Sequence, residues 1–183
     1  MSRSSLKRKS KQAICIVTEG KTEVVYFNKF KQEYNCSNIR VHQIKPCGNP
    51  QIVDRAMVLF KKSSSEIKRV LVIDKDALTQ QDFNTICSKA DEKGIMIVFS
   101  NHAFEVWLLA HFEEMSSGVQ SIQRVKQKLT EHLKQEYKKG NNGQISSILK
   151  QYDNAVTNTK NITDISYEHQ CTNVALLCEE MKG

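Results

Sequence analysis

Apolar runs of strand length alternate with stretches of helical periodicity through the first 112 residues, and that alternation leaves few folds open. Ala13–Thr18 reads A-I-C-I-V-T, Lys68–Asp74 reads K-R-V-L-V-I-D and Ile95–Phe99 reads I-M-I-V-F. Short, β-branched, nearly uninterrupted runs suit strands buried on both faces. A weaker strand is expected over Ile39–Lys45, where Ile39 and Val41 alternate with Arg40 and His42. Between the runs, Phe27, Phe30 and Tyr34 recur at helical spacing within Thr22–Tyr34. Ile52, Val53, Ala56, Leu59 and Phe60 mark a second helix ending in the serines 63–65, after a loop punctuated by Pro46, Gly48, Asn49 and Pro50. Asp82–Ala90, stopping near Gly94, and Ala103–Phe112 complete the series. The order βαβαβαβα predicts an α/β fold: an open parallel four-stranded sheet flanked by helices.

Composition shifts after Phe112. Glu113–Val119 reads as a linker, and Ile122, Val125, Leu129 and Leu133 then run at helical spacing on a lysine-rich segment. Lys139–Gly143 is a loop, Ile145, Ile148, Leu149 and Tyr152 mark one more helix, and Thr172–Met181 a last one with Thr172 as its N-cap. The expected organisation is a basic flexible tail (1–12), an α/β catalytic core (13–112) and a helical C-terminal extension packed on that core (113–183). No internal repeat is present.

The chain has 183 residues and a net charge of +7, with a sequence pI of about 9.1. A chain this size buries roughly 70% of its unfolded surface and needs no disulfide or zinc to fold. The positive charge sits in the tail, with Arg3, Lys7, Arg8, Lys9 and Lys11, and in Ser121–Gly140, with Arg124, Lys126, Lys128, Lys134, Lys138 and Lys139. Basic segments beside an acidic site favour a nucleic-acid partner. The six cysteines form no C-x-x-C and no zinc-finger pairing with the five histidines, so reduced thiols are expected. No run reaches the length of a membrane helix, and the start lacks the apolar core of a signal peptide, so a cytoplasmic protein is expected.

Glu19–Phe27 reads E-G-K-T-E-V-V-Y-F, and its G-K-T invites comparison with a phosphate-binding P-loop. That loop needs a second glycine five residues earlier, where this chain has Cys15 inside a strand, and Glu19 would repel a phosphate. The carboxylates make a better pattern. Glu19 ends the first strand, Asp74 ends the third, and Asp76 follows in D-K-D. Sites on open α/β sheets gather outside such strand ends. Converging carboxylates repel one another, and Mg²⁺, with Mn²⁺ as an alternative, relieves that repulsion. Glu23 lies one helical turn from Glu19 and could join the metal or simply favour a helix N-terminus. Gly20 is expected to permit the turn into the helix.

The strand-borne E-G-K-T-E with a later D-K-D resembles the Toprim fold, whose members hold Mg²⁺ with one glutamate and a D-x-D pair; on this chain those are Glu19, Asp74 and Asp76. Ser100–Phe112, S-N-H-A-F-E-V-W-L-L-A-H-F, resembles more closely the S-N-P-x-F-E-x-W-L-L-x-H-F string of the RloB-like family. Tyr137–Lys139 resembles that family's Y-x-K, Ala155 and Lys160 its alanine- and lysine-bearing helix, and Thr172–Val174 its closing T-N-V. This chain departs in having His102 where proline is common, Cys171 before Thr172, and one residue fewer between Gly20 and Thr22. Phe104, Trp107, Leu108 and Leu109 read as a helix packed on the sheet, and Ser100 and Asn101 as its caps. Glu105 is either a second-metal or ligand-orienting carboxylate or an exposed helical glutamate. Lys139 could meet a phosphate or a leaving oxygen, with Tyr137 supporting it or buried in the core.

The resemblance implies a Mg²⁺-dependent nuclease cutting phosphodiester bonds of DNA or RNA in anti-phage, restriction-linked defence. Its metal ligands would be Glu19, Asp74, Asp76 and Glu23, with Glu23, Glu105 and Lys139 available for the chemistry. The alternative is a nucleic-acid-binding regulatory module on the same scaffold. A homodimer or a partner defence protein is the other association expected, with no interface legible in the sequence.

Overall fold

A computed structural model describes residues 12–62, 67–76 and 78–183. The expected basic tail up to residue 11 and the serines 63–65 lie outside the described residues. The strands are β1 (Ile14–Thr18), β2 (Ile39–Gln43), β3 (Lys68–Asp74), β4 (Ile95–Asn101) and β5 (Cys171–Thr172). They form one sheet in the order β2-β1-β3-β4-β5, with β1 to β4 parallel and β5 antiparallel to β4. The sheet is therefore five-stranded rather than four-stranded. A two-residue strand has neither an apolar run nor an alternation to reveal it, and only tertiary contact creates it. Thr172, expected as a helix cap, lies in this strand with its hydroxyl 3.0 Å from that of Ser100.

The helices are α1 (Lys21–Glu33), α2 (Gln51–Phe60), α3 (Gln80–Glu92), α4 (Glu105–Ala110), α5 (Ile122–Leu133), α6 (Asn142–Leu149), α7 (Tyr152–Thr159) and α8 (Val174–Lys182). The single helix expected around Ile145–Tyr152 is two, because the chain turns at Lys150 and Gln151. Three starts are set by local chemistry: Thr79, Ser121 and Asn141 accept the backbone N–H of Asp82, Arg124 and Gln144.

Strand alternation sorts the core into two layers. Ile14, Ile16, Val70 and Val72 face α1, α4 and the C-terminal helices, whereas Cys15, Val17, Leu71 and Ile73 face α2 and α3. The first layer holds an aromatic cluster in which Tyr26 packs edge-on against Phe27, Phe104 and Trp107. Phe104, Trp107, Leu108 and Leu109 are buried, as their apolar character predicts. Each such side chain contributes roughly 1.5–3 kcal/mol on leaving water. Leu129, Tyr152 and Leu177 belong to that same layer, so the C-terminal helices complete the core on this face. Among the described residues no helix is long and apolar enough to cross a membrane. None of the six cysteines forms a disulfide.

The chain passes from β1 to β2 on one side and returns to place β3 on the other. The carboxyl ends of β1 and β3 therefore flank the point where the winding reverses, the usual place for a site in such a sheet.

Candidate active site

Glu19 directly follows β1, and Asp74 is the last residue of β3. Thr18 pairs with Val72 and Asp74 with Ser100, which sets Asp74 beside the β1-to-α1 turn and beside the segment leading into α4. As an even-numbered residue of β3, Asp74 falls on the α1 and α4 side, where Glu23 and Glu105 also lie. Glu19, Glu23, Asp74, Asp76, Glu105 and Lys139 all line one cavity of about 310 Å³. The six candidates, drawn from four separate stretches of chain, are thus brought together.

Among the carboxylates, Asp74 feels the charges of Glu23 and Glu105 most. Burial first, then the charges of Glu23 and Glu105, push the Asp74 carboxyl well above its ordinary range. Its Oδ1 is buried with no hydrogen-bond partner among the described residues. Burial also raises Glu23, to about 7, with Glu105 and Glu19 adding to the rise and its own backbone N–H and Lys139 opposing it. Asp76 is exposed at the rim, and Glu19 is half-buried with its Oε1 accepting the Cys47 N–H at 2.6 Å.

Glu105 is 1% exposed, so it is not a solvated helical glutamate. Its Oε1 accepts the Tyr137 hydroxyl at 3.3 Å and lies 3.5 Å from the Lys139 ammonium. Burial alone would lower the Lys139 pKa, but attraction to Glu105 and then Asp74 outweighs it and the pKa is raised. The Lys139 head remains largely in water, at 58% side-chain exposure. Tyr137 and Lys139 come from the loop between α5 and α6, and Gly140 seats that loop against α1. With φ at +65°, Gly140 has no Cβ to collide with the Lys21 stem, whose Cγ would lie 2.9 Å from one. The Lys21 stem thus lies against Gly140, and Gly20, Lys21 and Thr22 line the same cavity as the carboxylates.

Two local assignments change. Gly20 has φ −87° and ψ 140°, an ordinary extended conformation, so the turn itself does not require glycine. The need is space, because a Cβ there would fall 1.9 Å from the Glu23 carboxylate. Ser100 and Asn101 do not cap α4, whose N-cap is Phe104 without a side-chain bond. Ser100 meets Thr172, and the Asn101 amide donates to the carbonyls of Ser166, Tyr167 and His169. The peptide joining Asn101 to His102 is cis.

Sequence reasoning missed the segment 166–169 and Asn173. Asn173 accepts the Phe99 N–H at 2.8 Å and donates to the Ile97 carbonyl at 3.0 Å, gripping the edge of β4. The T-N-V letters were the available signal, but nothing local says which strand they meet.

The donor set suits a hard divalent cation: clustered carboxylates, an unpartnered buried oxygen and a lysine as the nearby compensating charge. Among the described residues, no three His, Cys, Asp or Glu side chains are already gathered as a metal-holding group. The carboxylates surround the cavity rather than closing on a point within it.

No curated protein and no solved structure matches the chain. A family profile described as RloB-like protein matches residues 14–181, which takes in every strand, every site residue and nearly the whole of α8. With the match covering almost its full length, the chain belongs to the RloB-like family.

Proposed function

We propose that this protein is a Mg²⁺-dependent nuclease of Toprim type, hydrolysing phosphodiester bonds of DNA or RNA in restriction-linked, anti-phage defence. The observation that carries the reading is Asp74, half-buried beside Glu23 and Glu105, with its Oδ1 out of water and unpartnered among the described residues. Like charges held out of water are costly, and a stable fold retains them where a cation or substrate compensates. Glu19, Asp74 and Asp76 would hold the ion. A bound divalent cation supplies charge neutralisation at the phosphate and at the attacking or leaving oxygen. The chain's own groups complete the site. Glu23, in the first turn of α1 and 6% exposed, would serve as the proton acceptor for water in place of ligating the ion. Glu105 is oriented by Tyr137, and the exposed Lys139 head stands at the rim, where a phosphate oxygen would enter.

The test is cleavage of end-labelled DNA, transfer RNA and ribosomal RNA with Mg²⁺ or Mn²⁺. Asp74→Ala and Glu19→Ala should each reduce cleavage by more than about 100-fold, since even indirect disturbance of a metal site costs 10–100-fold. Cleavage that survives both substitutions defeats the site assignment. A folded sample that binds nucleic acid without metal and cleaves nothing supports instead a regulatory, nucleic-acid-binding module on the same scaffold.

A further inference from the structure

The D-K-D turn carries a lysine between two acids that line the cavity. Read by letters, Lys75 looks like a phosphate contact. The fold turns it the other way. Alternation along β3 puts Asp74 on the α1 and α4 side and the next residue on the α2 and α3 side, and Lys75 is absent from the cavity wall. Its ammonium donates to the Tyr167 carbonyl at 2.8 Å and lies 4.3 Å from the centre of the Tyr167 ring. The Tyr167 hydroxyl in turn donates to the Leu78 carbonyl at 2.7 Å. One residue of the segment before β5 therefore holds the D-K-D turn at Lys75 and again at Leu78.

That segment is itself fastened. Asn101 at the end of β4 donates to the Ser166, Tyr167 and His169 carbonyls, and the ring of Tyr167 rests against Phe83 of α3. The turn is further tied by Lys75 N–H to the Ser100 carbonyl and Asp76 N–H to the His102 carbonyl. Among the described residues the exposed Asp76 carboxylate has no hydrogen-bond or ion-pair partner, so its direction depends on the backbone of this turn.

We propose that Lys75 and Tyr167 are positioning residues: through a cation–π contact and two hydrogen bonds they hold the Asp74 and Asp76 carboxylates in the arrangement that gives the site its divalent-ion affinity. This rests on the reading of Asp74 and Asp76 as metal ligands. Groups that orient metal ligands from behind change affinity by about 10–100-fold when removed.

The experiment is direct Mn²⁺ binding to the full chain, followed by the electron paramagnetic resonance of free Mn²⁺, with thermal melts in parallel. Lys75→Met keeps the stem and removes the ammonium; Tyr167→Phe keeps the ring and removes the hydroxyl. Each should weaken Mn²⁺ binding, Lys75→Met by about tenfold or more, and Lys75→Arg should recover most of the loss. In the cleavage assay the Lys75→Met deficit should close as Mn²⁺ is raised. The proposal is overturned if Tyr167→Phe and Lys75→Met both bind Mn²⁺ as the unaltered protein does. It is equally overturned if Lys75→Met leaves Mn²⁺ affinity intact and raises only the KM for nucleic acid, which would make Lys75 a substrate contact. If Lys75→Met does not fold, the milder Tyr167→Phe decides alone. Failure of the unaltered protein to bind Mn²⁺ brings down the metal-site reading itself, a result distinct from equal binding by all variants.

Discussion

Glu23 shows how one carboxyl can serve two ends. It stands in the first turn of α1, where a negative charge is favourable, yet it is 6% exposed and shares its surroundings with Glu105 and Asp74. With its folded pKa raised from 4.5 to about 7, the site keeps its full contribution to stability below pH 4.5 and loses it as pH rises through 7. His111 has the opposite sense. Burial lowers it to about 4, so its contribution is present above pH 6.5 and is lost as pH falls toward 4. The two overlap in mild acid and separate above pH 6.5. Urea unfolding in chelator should therefore show stability falling by about 1 kcal/mol between pH 6.5 and 8 from Glu23 alone, with Asp74 acting in the same direction. Glu23→Gln should remove the Glu23 share of that slope, and an unchanged slope in this variant would count against the buried-carboxylate cluster.

At the scale of elements, β4 is the strand on which the site and the C-terminal region meet. Its edge is covered by only two residues of β5, and Asn173 extends that cover by supplying with its side chain what another strand would supply with backbone. Asn173 is 5% exposed, so its removal would leave the Phe99 N–H and Ile97 carbonyl without these partners inside the protein. Asn173→Ala should cost about 2–6 kcal/mol, because each of the two buried backbone groups left unpaired costs about 1–3. Amide exchange at Phe99 should speed up in step. A loss below about 0.5 kcal/mol, the ordinary scatter of surface substitutions, would mean that water or a local shift replaces the grip. The same strand end holds Asn101, whose side-chain NH2 lies within hydrogen-bond distance of three carbonyls of the segment carrying Tyr167 and so ties that segment to the sheet.

For the molecule as a whole, the C-terminal third completes both the core and the site. Leu129, Tyr152, Leu177 and Met181 share one buried layer with Phe27, Phe104 and Trp107, and Tyr137 and Lys139 reach Glu105 from the same third. Cutting the chain after Phe112 would expose that layer, including the fully buried Trp107 and Tyr26. A fragment of residues 1–112 should therefore lack a cooperative thermal transition by calorimetry, despite holding β1 to β4 and five of the six candidate residues. A sharp melt for this fragment would show the α/β part to be independently stable.

The amino-acid sequence by itself determined the four parallel strands and their helices, because each bears its signal locally. Apolar runs at Ala13–Thr18, Lys68–Asp74 and Ile95–Phe99 specify strands whatever lies around them, and Glu19 and Asp74 stand out as acids at their ends. The long F-E-V-W-L-L string likewise announced a buried helix with a single charge in it. Tertiary structure decided the rest. Glu19, Asp74 and Asp76 share one cavity wall, and the fold adds the buried Glu23 and Glu105 beside Asp74, since burial depends on what packs over a carboxylate and not on its neighbours in the chain. Gly20 proved to make room for Glu23, and Thr172 and Asn173 proved to be strand and strand-edge partners of residues more than 70 positions away. Such roles arise from contacts between distant segments, and a hydrogen bond of that kind leaves no periodicity in the sequence to read.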